Sequence, residues 1–270
     1  GSRRIYRLTL ERVGIILGDP DVTEVTERDL VAALTEAYPT ASPASWNRHV
    51  ATLRSFYSFA TRQGWTVGDP TRALERRREV VHHDRALTRD QVEAIFNDKS
   101  LTVRDQALFR LLYESAARAN EVLCLNIEDL DRAKKRATTR RKGGDLDVIH
   151  WQTGTARLLP HVVGTRKRVP LFLADQPPNQ TQAPASTDID PDTGHARLSY
   201  RRAAEIFKDV SGGATLHSLR HSAISHLAEE GVPLPLLMAK SRHASLKTVE
   251  RYARPSVEAV AALTAAHDPA

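Results

Sequence analysis

At 270 residues, with 41% apolar and 27% charged side chains, the chain is long enough for two packed cores and has the balance of an ordinary globular protein. Its 39 Lys and Arg against 33 Asp and Glu leave a net charge of +6, which admits a polyanionic partner without specifying one. No apolar run reaches the roughly 18 residues of a membrane-spanning helix, and a single cysteine excludes an intrachain disulfide, so a reducing, cytoplasmic setting is expected.

The chain opens Gly1-Ser2 and its one methionine is Met238, so the first residues read as a tag-cleavage remnant, which leaves open whether natural sequence precedes them. The N-terminal third reads as helices with polar connections. Leu10, Val13, Ile16 and Leu17 mark a helix over 8–17. Thr26 is placed to cap a helix carrying Leu30, Ala33 and Leu34, with Asp29 as the reciprocal acid. The clearest helix runs over 43–63, where Trp46, Val50, Leu53 and Tyr57 recur at helical spacing and should face a core. Its remaining faces, with Asn47, Arg48, Thr52, Arg54, Ser55 and Arg62, are polar and partly basic. Gly64 stops it, and the charged stretch that follows, with Pro70 and the run Glu75-Arg76-Arg77-Arg78-Glu79, reads as an interdomain linker.

Thr88 opens a second helical region by capping a helix over 89–97, and Leu108, Leu111 and Leu112 lie on a longer helix that continues to Ala117. Cys124, between Leu123 and Leu125, reads as a buried structural thiol. Glu128-Asp129-Leu130-Asp131 reads as an acidic turn. Residues 136–141 and 146–151, around Gly143-Gly144, read as a β-hairpin. Residues 155–163 suit a helix despite Pro160, and 175–194, with four prolines, suits a long surface loop. Helices are expected over 199–210, 216–230, 233–241, 246–253 and 256–266, with Gly231 as a C-cap. The fold class is therefore mainly α with a small antiparallel β element, in two domains: 3–67, a linker at 68–85, and 86–270.

The most informative residues are C-terminal: Leu216-His217-Ser218-Leu219-Arg220-His221, then Ser241-Arg242-His243, then Glu250-Arg251-Tyr252. His217 and Arg220 are three apart and share a helix face. Arg118, in Ala117-Arg118-Ala119-Asn120-Glu121, stands upstream, and Lys142 lies beside the glycine pair. Taken alone, Arg118 could simply pair with Glu114 or Glu121, and Tyr252 could be a packing aromatic. His221 and His226 suit supporting or core roles. Histidines four apart match a metal spacing, yet no glutamate accompanies them as in a helical metalloprotease motif, and no metal is expected.

Together these residues resemble the active site of the tyrosine recombinases, the integrase family, and the resemblance covers almost the whole chain. It implies a C-shaped clamp of a helical core-binding domain and a catalytic domain. It implies that Tyr252 attacks a DNA phosphodiester to form a 3′-phosphotyrosine, while Arg118 and Arg220 grip the nonbridging oxygens. Lys142 would protonate the leaving 5′ oxygen, with Lys134, Lys135 and Lys167 as further candidates. His217 would assist proton transfer at the tyrosine, and His243 would bond the phosphate. No ATP, metal or other cofactor is required, because the covalent ester conserves the bond energy. Arg48, Thr52, Arg54 and Arg242 are the expected DNA-contacting residues.

Implied partners are double-stranded recombination sites, a homotetramer on DNA, and accessory DNA-bending or directionality factors, in the cytoplasm at the nucleoid. Integration or excision of a mobile element is the expected task; a type IB topoisomerase and a non-cleaving DNA-binding regulator are the rivals. The final helix often docks on a neighbouring protomer in this family. The chain departs from the family at Arg242, where many relatives carry glycine, at Asp145 and Asp147, where relatives are often basic, and at 175–194, which looks like an insertion.

Overall fold

The structure is a computed structural model that describes residues 2–78, 86–140, 144–178 and 184–242, together with 249, 264 and 265. It divides into two compact units, 1–82 and 83–270.

The first unit holds α1 (Ser2–Leu17), α2 (Glu27–Ala37) and α3 (Pro43–Arg62). Helix α2 starts where the sequence places its cap: the Asp29 amide donates to Thr26 Oγ1 at 3.3 Å, and the Thr26 amide donates to Asp29 Oδ2 at 2.9 Å. Ser42 caps α3, Pro43 occupies its first turn, and Gly64 turns the chain away at φ +72°. Trp46, Val50, Leu53 and Tyr57 are all buried, against Val13 of α1 and Leu30 and Leu34 of α2. Helix α1 is longer than its apolar positions indicate, because Arg3, Arg4 and Arg7 extend it with exposed polar residues.

Residues read as a linker prove to be part of this unit. Leu74 enters its core at 1% exposure. Trp46 Nε1 donates to the Glu75 carbonyl at 3.0 Å, and Arg54 donates to the Leu74 carbonyl at 2.8 Å. The Asn47 carboxamide both donates to and accepts from the Arg77 backbone, each at 2.8 Å, as a neighbouring strand would. Arg77 stacks over the Trp46 ring at 3.8 Å. The charged run through Arg78 is thus fastened to α3.

The second unit comprises α4 (Arg89–Phe96), α5 (Val103–Ser115), α6 (Ala119–Leu123), β1 (Leu130–Asp131), β2 (Arg136–Arg140), β3 (Leu146–His150), α7 (Thr153–Val163), α8 (Tyr200–Val210), α9 (Leu216–Glu229) and α10 (Leu234–Ser241). Helix α5 is central; Ala107, Leu108, Phe109, Leu111 and Leu112 are buried against residues of α7, α8 and α9. The sheet is antiparallel in the order β1-β2-β3, with Ala137 opposite Ile149 and both buried. The expected acidic turn is in part strand β1, since Leu130 and Asp131 pair with Ala137 and Arg136.

Within 175–194, the described residues 175–178 and 184–194 include a single 3-10 turn at Ser186–Asp188 and are anchored. Arg104 holds Asp175 at 2.6 Å, Arg197 holds Asp188 at 2.7 Å, and Asp190 is fully buried. Cys124 is exposed, not buried: α6 ends there, and the side chains to either side, Leu123 and Leu125, take the interior positions. The helices expected over 246–253 and 256–266 lie largely outside the described residues. Among the described residues no helix is long and apolar enough to cross a membrane.

Candidate active site

Three chain segments meet at Arg220. Helix α5 ends at Ala116, which adopts a left-handed conformation at φ 50° and turns the chain into Ala117 and Arg118. Helix α10 ends at Arg242, again left-handed at φ 54°. Arg220, in the second turn of α9, is only 2% exposed. Its Nη1 donates to the Ala116 carbonyl and its Nη2 to the Ser241 carbonyl, each at 2.5 Å. One guanidinium therefore fixes the residues that lead into Arg118 and into Arg242.

Arg118 stands at the N-cap of α6. Its Nη1 donates to Glu121 Oε1 at 2.7 Å, and its amide donates to Glu121 Oε2 at 3.0 Å. Its side chain remains 46% exposed while that of Glu121 is 7% exposed, so the guanidinium is oriented from behind and open in front. Burial alone pushes the Glu121 carboxyl up, but hydrogen bonds from the Arg118 amide and guanidinium, with the Arg242 charge, bring it below its usual range.

His217 lies one turn before Arg220 on α9 and is exposed, with its ring edge-on to His221 at 4.5 Å between centroids. His226 is buried, and its Nδ1 lies 2.7 Å from the Tyr113 hydroxyl. Strands β2 and β3 close with Arg140 opposite Leu146, flanking Lys142 in the sequence. Lys142, His243 and Tyr252 lie outside the described residues.

Two of the residues expected to contact DNA, Arg242 and Thr52, are buried. Arg242, expected to contact DNA, is 6% exposed, and its Nη2 donates to Glu121 Oε2 at 2.9 Å. A buried carboxylate nearby outcompetes solvent for its guanidinium. Thr52 is fully buried on α3, its hydroxyl donating to the Arg48 carbonyl at 3.0 Å. Arg48 and Arg54 are exposed, although Arg54 spends one donor on Leu74.

Two residues of this neighbourhood had no role from sequence. Glu121 entered only as one ion-pair option, although its position three after Arg118 carries the capping-box spacing that the structure uses. Lys240 donates from Nζ to the His150 carbonyl at 3.1 Å, and burial, then the Arg242 charge, lower its pKa. No local pattern marks that contact, which joins residues 90 positions apart.

Residues 85–259 match the Phage integrase family, and residues 1–64 match the Phage integrase, N-terminal SAM-like domain. Tyrosine recombinase XerC of Lactobacillus delbrueckii subsp. bulgaricus is 25% identical, over 89% of this chain and 82% of that protein. Tyrosine recombinase XerD of Mycobacterium tuberculosis is 26% identical, over 95% of this chain and 86% of that protein. Among solved structures, XerH site-specific recombinase bound to difH substrate superposes with a TM-score of 0.68 at 16% identity, over 99% of this chain and 79% of that one. A lambda integrase(75-356) dimer bound to a COC' core site gives 0.68 at 15% identity, over 90% and 88%. The chain belongs to the phage integrase family and is a tyrosine recombinase, a site-specific DNA strand-transferase.

Proposed function

We propose that Tyr252 of this chain cleaves DNA at a specific site and that the strand is rejoined through a 3′-phosphotyrosine ester. In this reading Arg118 and Arg220 clamp the scissile phosphate, and their charge also favours the Tyr252 phenolate over its ordinary protonated form. Lys142 protonates the leaving 5′ oxygen. His217 serves proton transfer at the tyrosine, and His243 bonds the phosphate. The observation that carries the reading is Arg220: one buried guanidinium binds the Ala116 carbonyl, just before the Arg118 turn, and the Ser241 carbonyl, just before Arg242. Fixed donors of this kind stabilise transition-state charge without reorganising.

The DNA-bound XerH and lambda integrase structures hold recombination-site DNA, and we extend that partner to this chain. Residues 3–67 act as the core-binding domain, with Arg48 and Arg54 on the backbone, and 86–270 as the catalytic domain. The two close on DNA as a C-shaped clamp, and four protomers exchange strands, with accessory bending or directionality factors, in the cytoplasm at the nucleoid. Integration or excision of a mobile element is the task.

The test is a suicide substrate: end-labelled duplexes, nicked near the cleavage site and tiled across the DNA that flanks the gene. The wild-type protein should become covalently linked to one of them, and Tyr252→Phe should not. An adduct that persists in Tyr252→Phe would remove Tyr252 as nucleophile.

A further inference from the structure

Arg242 sits where a side chain is costly. At φ 54° it closes α10 in the left-handed region, which glycine occupies without steric penalty. Yet the arginine is drawn inward, its side chain 4% exposed. Its Nη2 donates to Glu121 Oε2 at 2.9 Å, its Nε lies 3.6 Å from Asp147 Oδ2, and its Nη1 donates to the Lys240 carbonyl at 3.2 Å. Arg242 therefore connects the end of α10, the carboxylate behind Arg118, and strand β3 of the hairpin.

Glu121 is shared between two guanidiniums. Oε1 accepts from Arg118 Nη1, whereas Oε2 accepts from the Arg118 amide and from Arg242 Nη2. Without Arg242, Oε2 would keep only the Arg118 amide, and the carboxylate could turn to share both oxygens with the Arg118 guanidinium. That would draw Arg118 back and cancel the charge it presents outward. With Arg242 present, Glu121 is divided between two guanidiniums, while Asp147 faces Arg242 from the hairpin side. The exposed member is Arg118, at 46% against 4%.

We propose that Arg242 is a positioning residue for strand cleavage, acting through Glu121 on Arg118 and through Asp147 on the β2–β3 hairpin. The inference rests on the reading of Arg118 as a clamp on the scissile phosphate. Arg242 does not touch DNA; it sets how Arg118 meets it. A glycine at 242 keeps the backbone conformation but removes the guanidinium, so Arg242→Gly separates the two contributions.

The experiment measures single-turnover adduct formation on the same nicked duplexes, with binding to the intact duplex measured in parallel. Arg242→Gly should slow adduct formation about 10- to 100-fold, the scale of a catalytic group misplaced by about 1 Å, while duplex affinity stays close to wild type. In an Arg118→Lys background, Arg242→Gly should cost little more, because the group it acts through has already changed. Arg242→Lys, which keeps the charge, should recover part of the rate; it also carries the test if Arg242→Gly does not fold. A wild-type rate in Arg242→Gly, or losses that add in full in the Arg118→Lys background, overturns the proposal. Failure of the wild-type protein to form any adduct overturns the cleavage reading itself and this inference with it.

Discussion

The Arg220 guanidinium donates from Nη2 to the carbonyl of Ser241, 21 residues further along the chain, and from Nη1 to that of Ala116. A side chain expected to grip a phosphate is thus also a tie between the ends of α5 and α10. Buried carbonyls that lose a charged donor are expensive, at about 1–3 kcal/mol each. Arg220→Ala should therefore lower unfolding stability by several kcal/mol and abolish adduct formation. Denaturant melts and the nicked-duplex assay read the two effects separately.

Glu114 caps α7 from a distance. Its carboxylate accepts from the amides of Gln152 at 2.7 Å and Thr155 at 3.2 Å. Gly154 lies between them, and a Cβ there would come within 2.5 Å of Glu114 Oε1. Gly154→Ala should push the carboxylate off and strand those amides, costing about 1–3 kcal/mol. A shifted urea midpoint with an unchanged slope would register it.

The Asn47 carboxamide holds the Arg77 backbone by two hydrogen bonds. Asn47→Ala should release the charged run that sequence alone assigns to a linker. Trypsin should then cut after Arg76, Arg77 or Arg78 sooner than in the wild-type protein, as read by timed digestion and mass analysis. Cleavage at the wild-type rate would mean that Trp46 and Leu74 suffice to hold the segment.

The His226 pKa is depressed below the ordinary histidine value of about 6.5, by burial first and then by the Arg89 charge. The unfolded chain therefore takes up the proton more readily than the folded one. The resulting stabilisation is complete above about pH 6.5 and is lost as the pH falls through the folded-state pKa below it. His226→Gln should flatten that part of the stability profile. It should not abolish it, because His49 in the first unit is shifted the same way, chiefly by burial. Urea unfolding at a series of pH values checks the slope.

Much of this protein was legible locally. The buried face of α3, the Thr26 and Thr88 caps and the arms of the hairpin follow from periodicity and capping chemistry acting within one or two turns. Arg118, His217, Arg220, His243 and Tyr252, taken together at their spacing, carry the resemblance to the family. Thr52 misled because a polar type on a helix does not say which flank of the apolar stripe is covered, and its hydroxyl is satisfied by its own helix.

The sequence by itself determined the elements and the residue types that belong to the chemistry, because both are written in short-range spacing. Tertiary structure alone decided the partners. Glu121 meets Arg242 across 121 residues, Arg220 meets Ala116 across 104, and Asn47 meets Arg77 across 30. Charge and hydrogen-bonding groups commit to whichever complementary atom the packed core brings within about 3 Å. That distance is set by the folding of whole units, so Arg242, charged and apparently destined for the surface, ends up buried behind Arg118.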